Sequence, residues 1–203
     1  MKKIIFIIIC FILVLVIFKL QNNDIYYLNL NSISNDDYSI YYKDNIKNLK
    51  YYNNNFNIEE YRITDLIRDI KENKEITINN KKQTIENSII KADIITIWIG
   101  INEIKYKINS SPDELYNYSD QLLTDMEELF ILLRKYSKEE IIFLNFYNPN
   151  NNNNNEVITY LNKKLEIIAS EYNIKILDIS KIIKNNPTDN DYKTISNMLK
   201  NNF

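Results

Sequence analysis

The chain has 203 residues, a formal net charge of −2, one cysteine, one glycine and no histidine. That length is enough to bury a real hydrophobic core, and the missing imidazole excludes every mechanism that uses a histidine base or ligand. Cys10 is the one cysteine, so the chain after residue 20 forms no disulfide, thiol nucleophile or thiolate metal site.

Lys2 and Lys3 precede an unbroken apolar run from Ile4 to Phe18, followed by Lys19 and the polar string Gln21-Asn22-Asn23-Asp24. As a helix rising about 1.5 Å per residue the run spans roughly 22 Å, less than a hydrocarbon core of about 30 Å. It has the length of a signal-peptide core, yet no small-residue cleavage site follows. With Leu20 included and Lys19 snorkelling, an uncleaved cell-membrane anchor over residues 1–20 is favoured, positive end inside and domain 24–203 outside the cytoplasm. If the segment is cleaved instead, the domain is secreted. Cys10 sits in mid-run as an apolar passenger. Without Lys2, Lys3 and Lys19, 22 of the 25 basic residues remain against 27 acidic ones, a net charge of −5, and nucleic acid is not an expected partner.

Ile25 to Leu30 reads as a strand running into the polar turn Asn31-Ser32-Ile33-Ser34-Asn35. A helix is expected from Asp37 to Lys50, a second strand over Phe56 to Ile58, and a helix opened by Thr64-Asp65 through about Lys71. Glu75 to Lys82, turning at Asn79-Asn80, suggests a small surface hairpin. A helix over Thr84 to Lys91 leads to the strand before Gly100. Ser111-Pro112-Asp113-Glu114 combines a capping hydroxyl, a proline at the first helical position and a carboxylate at the third. The helix it opens carries Leu115, Tyr118, Leu122, Met126, Leu129 and Leu133 three to four apart and closes on Arg134-Lys135. Then come a strand over Ile141 to Phe146, an asparagine-rich loop from Asn148 to Asn155, a helix over Glu156 to Tyr172 and a strand over Ile174 to Ile179. Thr188 and Asp191 cap a last helix that turns Tyr192, Ile195 and Leu199 inward.

Strands that are continuously apolar alternate with amphipathic helices, which predicts a three-layer α/β/α fold with a mostly parallel sheet. In such folds sites form at the carboxyl ends of the strands, where Ser32, Gly100 and Asn102 fall. Usage of about 7% would supply roughly 14 glycines to this length. Gly100 is the one present, at the end of Asp93-Ile-Ile-Thr-Ile-Trp-Ile-Gly, so a backbone conformation closed to other residues is expected there. Trp98, two residues before it, reads as core.

Three strings resemble the SGNH/GDSL hydrolases, esterases and lipases built on a flavodoxin-like sheet. Ile99-Gly100-Ile101-Asn102-Glu103 is similar to the family's Gly and Asn block, in which the Asn side chain donates to the oxyanion. Leu30-Asn31-Ser32-Ile33-Ser34 stands where the family has Gly-Asp-Ser-Ile/Leu-Thr, placing Ser32 at the nucleophile position. Asn186-Pro187-Thr188-Asp189-Asn190-Asp191-Tyr192 resembles the closing His-Pro block, with Asn186 at the His position. Glu59-Glu60-Tyr61-Arg62 falls where the family keeps its second oxyanion residue, so Glu60 takes the place of a Gly. No cofactor or metal is implied.

The departures carry chemistry. Leu30 and Asn31 replace Gly and Asp, Glu60 replaces Gly, Asn186 replaces His, and Ile183, Lys184 and Asn185 leave no Asp just before it. A serine hydroxyl is a weak nucleophile until a base takes its proton, and an amide is not a base. Losing that base in a serine protease costs about 2 × 10⁶ in kcat. The resemblance therefore implies an ester-hydrolase fold that is inactive or very weak, with a cleft suited to an acylated sugar, peptide or lipid. Two alternatives stand beside it: an active esterase in which Asp189, Asp191 or Glu103 serves as base, and an envelope scaffold in which Ser32, Asn102 and Asn186 only make turns and caps. Asn186 is expected to hydrogen-bond Ser32 as the lost His would.

Overall fold

The computed structural model describes residues 24–32, 38–78, 80–149 and 155–202. The expected anchor at 1–20, the helix start at Asp37 and most of the asparagine run lie outside these. No helix among the described residues is long and apolar enough to cross a membrane.

Five strands build one parallel sheet: β1 (Ile25–Asn31), β2 (Leu49–Asn53), β5 (Ile94–Trp98), β6 (Glu140–Leu144) and β7 (Lys175–Leu177), in the order β2-β1-β5-β6-β7. A separate antiparallel hairpin joins β3 (Glu75–Ile78) to β4 (Lys81–Thr84). The helices are α1 (Tyr38–Lys43), α2 (Ile63–Lys71), α3 (Ile85–Lys91), α4 (Ile101–Lys107), α5 (Pro112–Tyr136), α6 (Asn155–Glu171) and α7 (Asp189–Asn202). α5 packs against α2, α3 and α6, while α1 packs against α7. Right-handed crossovers put the first group on one face of the sheet and the second pair on the other, which is the three-layer arrangement read from the sequence.

Local rules account for most elements. Ser111 and Glu114 form a reciprocal capping box with Pro112 in the first turn of α5. Thr188 and Asp191 do the same for α7, with Thr188 N–H donating to Asp191 at 2.8 Å. Ile195 and Leu199 are fully buried beneath α7, and Tyr192 packs partly buried on the core. The Arg134 guanidinium binds four carbonyls, those of Ser137, Glu139, Tyr172 and Asn173, and so clips the end of α5 to the chain leaving α6.

Two expectations fail between β1 and α2. The first helix stops at Lys43, and the second strand is Leu49–Asn53, so Phe56 to Ile58 is a turn with Phe56 in the core. Turn hydrogen bonds from Asn45 and Ile46 close the helix, and Asn48 takes a left-handed φ of 58° that no helix tolerates. Tyr51 and Tyr52, good strand residues, then pair with Tyr26 and Tyr27 of β1.

On the α1/α7 face, alternation along β1 and β5 brings Tyr27, Asn29 and Thr96 together. Asn29 Oδ1 accepts from Thr96 and Tyr38, its amide donates to Ser39 at 3.1 Å, and Tyr27 and Tyr52 extend the chain of bonds. This buried, satisfied network fixes α1 onto β1 just below the strand's carboxyl end.

Candidate active site

Strand order reverses between β1 and β5, the place where an open parallel sheet forms a crevice. Ser32 leaves β1 there, and its N–H donates to the Trp98 carbonyl of β5 at 3.1 Å. The Ser32 side chain is 2% exposed, and its Oγ has no hydrogen-bond partner among the described residues. The hydrogen bond expected from Asn186 is therefore not formed. Asn186 is exposed in the loop before α7. A short polar residue in a loop that faces outward is well solvated, and nothing draws it inward as a charged dyad would.

β5 ends at Trp98, and Gly100 turns the chain into α4 with φ 98°. A Cβ at this position would lie 2.7 Å from Phe146 Cε1 and 2.9 Å from Ile63 Cδ1. Both conformation and space demand glycine, as the sequence suggests. Asn102 follows in the first turn of α4, half-buried, with its amide nitrogen buried and unpartnered. This helix has no capping signature or long apolar period in the sequence; it exists because Gly100 caps it and Ile101 and Ile104 are buried beneath it.

Among the described residues five non-glycine positions have positive φ, and Glu60 at 59° is the one of them that is not asparagine. The backbone thus keeps the left-handed geometry natural to a Gly, while the Glu60 side chain is exposed. The segment around it is tied down at both ends. Asn57 Oδ1 accepts from Asn31 N–H at 3.0 Å, and Glu103 Oε1 accepts from Ile63 N–H at 2.7 Å. Burial pushes the Glu103 carboxyl above its ordinary pKa, against the lowering pull of the Ile63 amide.

Glu103 Oε2 is buried without a partner among the described residues, whereas the other two candidate bases are engaged. Asp189 pairs with Lys193 at 2.8 Å and accepts from Tyr41, which hold its carboxyl below the usual range. Asp191 accepts from both the N–H and the hydroxyl of Thr188.

Aromatic residues complete the site, and the sequence reading passed over their polar atoms. The Trp98 ring lies among Tyr38, Tyr147 and Tyr192, at centroid distances of 5.6, 6.4 and 6.2 Å. Trp98 Nε1 and the Tyr147 hydroxyl are buried without partners, and burial raises the Tyr147 pKa. The signal for Tyr147 was its place in Asn145-Phe-Tyr-Asn148, polar residues crowded directly after a buried strand. Tyr192 brings the start of α7 to the end of β5, where the Trp98 carbonyl also accepts from the Ser32 N–H.

Among solved structures this chain is similar to a lipase from a goat rumen metagenome, with TM-score 0.70, 16% identity, and 87% of this chain and 96% of that one covered. An acetylxylan esterase from Geobacillus stearothermophilus superposes with TM-score 0.65 at 15% identity, covering 90% and 96%. A member of the lipolytic G-D-S-L family from Veillonella parvula gives 0.61 at 12% identity, covering 88% and 98%. The fold is that of the SGNH/GDSL hydrolases. No family model and no curated relative matches the sequence.

Proposed function

We propose that this chain is a membrane-anchored, extracytoplasmic protein in which an ester-hydrolase fold holds an acylated ligand without cleaving it at a useful rate. One observation carries the reading: Ser32, at the nucleophile position, is buried with an unpartnered hydroxyl in a chain that has no histidine. Its proton has no imidazole to accept it; Asp189 is held by Lys193 and Asp191 by Thr188, and Glu103 accepts from Ile63 N–H through Oε1 while its buried Oε2 has no partner among the described residues.

The remaining polar atoms favour holding over cutting. Asn102 Nδ2 and Trp98 Nε1 only donate, and Ser32 donates as well. Leaving such groups unpaired costs about 1–3 kcal/mol each, a penalty that a ligand oxygen removes. An acyl carbonyl on a sugar, peptide or lipid supplies that oxygen. The run Ile4 to Phe18 supports the anchor.

The test is hydrolysis of p-nitrophenyl acetate by the full chain in detergent micelles, beside Ser32→Ala. Equal, background rates are expected. Turnover that disappears with Ser32→Ala would overturn the proposal in favour of an active esterase. Trp98 is the chain's one tryptophan, so its emission reports directly on binding of acetylated glucose at this edge; an unresponsive emission removes the ligand-binding half of the reading.

A further inference from the structure

A cavity lies away from Ser32, beneath the β3–β4 hairpin, between strands β1 and β2 and the helix α3. Its volume is about 470 Å³, within the roughly 300–1,000 Å³ of small-molecule sites. Tyr26, part of its wall, precedes Ser32 by six residues, roughly 20 Å along a strand rising about 3.3 Å per residue.

Three features of the lining converge. Tyr26 and Tyr51 stand side by side with ring centroids 6.0 Å apart, and Tyr51 keeps 41% of its surface exposed. Gln83 of the hairpin donates to the Tyr51 hydroxyl at 3.1 Å and accepts from Asn55, which fixes the ring's attitude. Lys81, Lys82 and Lys91 contribute cations, and no Asp or Glu lines the cavity. Lys82 is neutralised by Glu75 at 2.7 Å. Lys81 and Lys91 have no carboxylate partner among the described residues, in a chain whose net charge is negative.

From this we infer that the cavity binds a sugar ring carrying a carboxylate or a phosphate. The tyrosine face stacks against the C–H face of the ring, while Gln83 and Asn87 meet hydroxyls. Lys81 and Lys91 balance the anion, and a partly enclosed apolar wall strengthens that attraction over its value in bulk water. A neutral sugar leaves both ammonium groups without a counter-charge. A flat hydrophobe leaves the amides unused.

The experiment is calorimetric titration of the full chain in micelles with glucuronate, glucose 6-phosphate, glucose and AMP. Either charged sugar should bind at least about tenfold tighter than glucose, and raised salt should weaken it. The double variant Lys81→Gln/Lys91→Gln should remove that tenfold preference, and Tyr51→Ala should weaken every sugar. Each variant is checked for a wild-type unfolding transition. Binding should persist in Ser32→Ala and leave Trp98 emission, excited apart from tyrosine, unchanged. Those two readouts separate this site from the ester-hydrolase edge, whose proposal stands or falls independently. Equal affinity for charged and neutral sugars, binding indifferent to the lysine variants, AMP binding with both charged sugars silent, or no heat from either charged sugar would each overturn the inference.

Discussion

Ser32 is joined to Trp98 through its backbone, N–H to carbonyl at 3.1 Å, while its hydroxyl and the Trp98 indole nitrogen, both buried, find no partner. The two backbones are bonded to each other and the side chains are left open. That pattern differs from a serine retained for a turn, whose hydroxyl would bond the local backbone. Ser32→Ala should therefore be neutral or stabilising, by up to about 1 kcal/mol, because it deletes a buried group that lacks a partner. Urea denaturation measures the difference. A loss of stability greater than about 1 kcal/mol would mean that the hydroxyl is structural.

Gly100 and Glu60 share positive φ and predict opposite signs. At Gly100 a methyl group meets left-handed strain of about 1–2 kcal/mol and overlap with Phe146 and Ile63. Gly100→Ala should cost about 2–4 kcal/mol. At Glu60 the side chain is exposed and the strain is already present. Glu60→Gly relieves it, offset in part by the greater freedom of the unfolded glycine, so stability should rise by up to about 1 kcal/mol. Comparing the two unfolding midpoints checks both.

The sheet, the capping boxes and the glycine turn were legible because each rests on local chemistry: Ser111 with Glu114, Thr188 with Asp191, and a lone Gly after an apolar run. The β2 strand was not, because Asp44-Asn45 and Asn48 break the helix through turn geometry that has no hydrophobic period. At the candidate site, the closeness of Ser32 to the end of β5 follows from strand order, which sets β1 beside β5. The Asn186 bond failed because spacing in sequence does not say whether a loop residue faces solvent. Glu103 and Asn57, which brace the segment around Glu60, act through backbone amides that are distant in sequence. Their role had no pattern to announce it.

Glu103 gives the protein a pH dependence of definite sign. Burial raises its folded pKa above the unfolded value of about 4.3. Between the two values the folded state binds more protons than the unfolded state, so stability falls as pH rises through that window. Its favourable contribution is complete below the unfolded pKa and is lost above the folded one. Glu103→Gln keeps an oxygen to accept from Ile63 and removes the charge. The variant should match wild type near pH 4 and exceed it increasingly toward neutral pH, as measured by paired denaturation curves. A gap that is constant with pH would show that the carboxyl does not titrate in this range.

Arg134 holds four carbonyls from two chain segments with one planar fork. A lysine carries the charge but cannot span that set. Arg134→Lys should cost about 2–3 kcal/mol, two or three hydrogen bonds at roughly 1 kcal/mol each. Hydrogen exchange should locate the loosening at Ser137 to Glu139 and Tyr172-Asn173. Uniform loosening across the sheet would instead make the guanidinium part of the global core.

The resemblance of the closing string to a catalytic block is itself testable by restoration. Lys184 and Asn186 are exposed on the loop that leads to α7, and Tyr192 of that helix already reaches Trp98. Lys184→Asp with Asn186→His supplies an imidazole and a carboxylate two residues before it. Glu60→Gly removes a charge from the segment that the resemblance assigns to the oxyanion. With a base restored, Ser32 can pass on its proton, and p-nitrophenyl acetate hydrolysis should rise at least about tenfold over wild type, a small part of the roughly 10⁶ that such a base is worth. The gain should fall between pH 6 and 7, where an unperturbed imidazole titrates near 6.5, and adding Ser32→Ala should abolish it. A histidine at 186 that raises hydrolysis independently of Ser32 would be acting as a surface imidazole. In that case position 186 does not face the nucleophile position, and the alignment of the closing block would have to be redrawn.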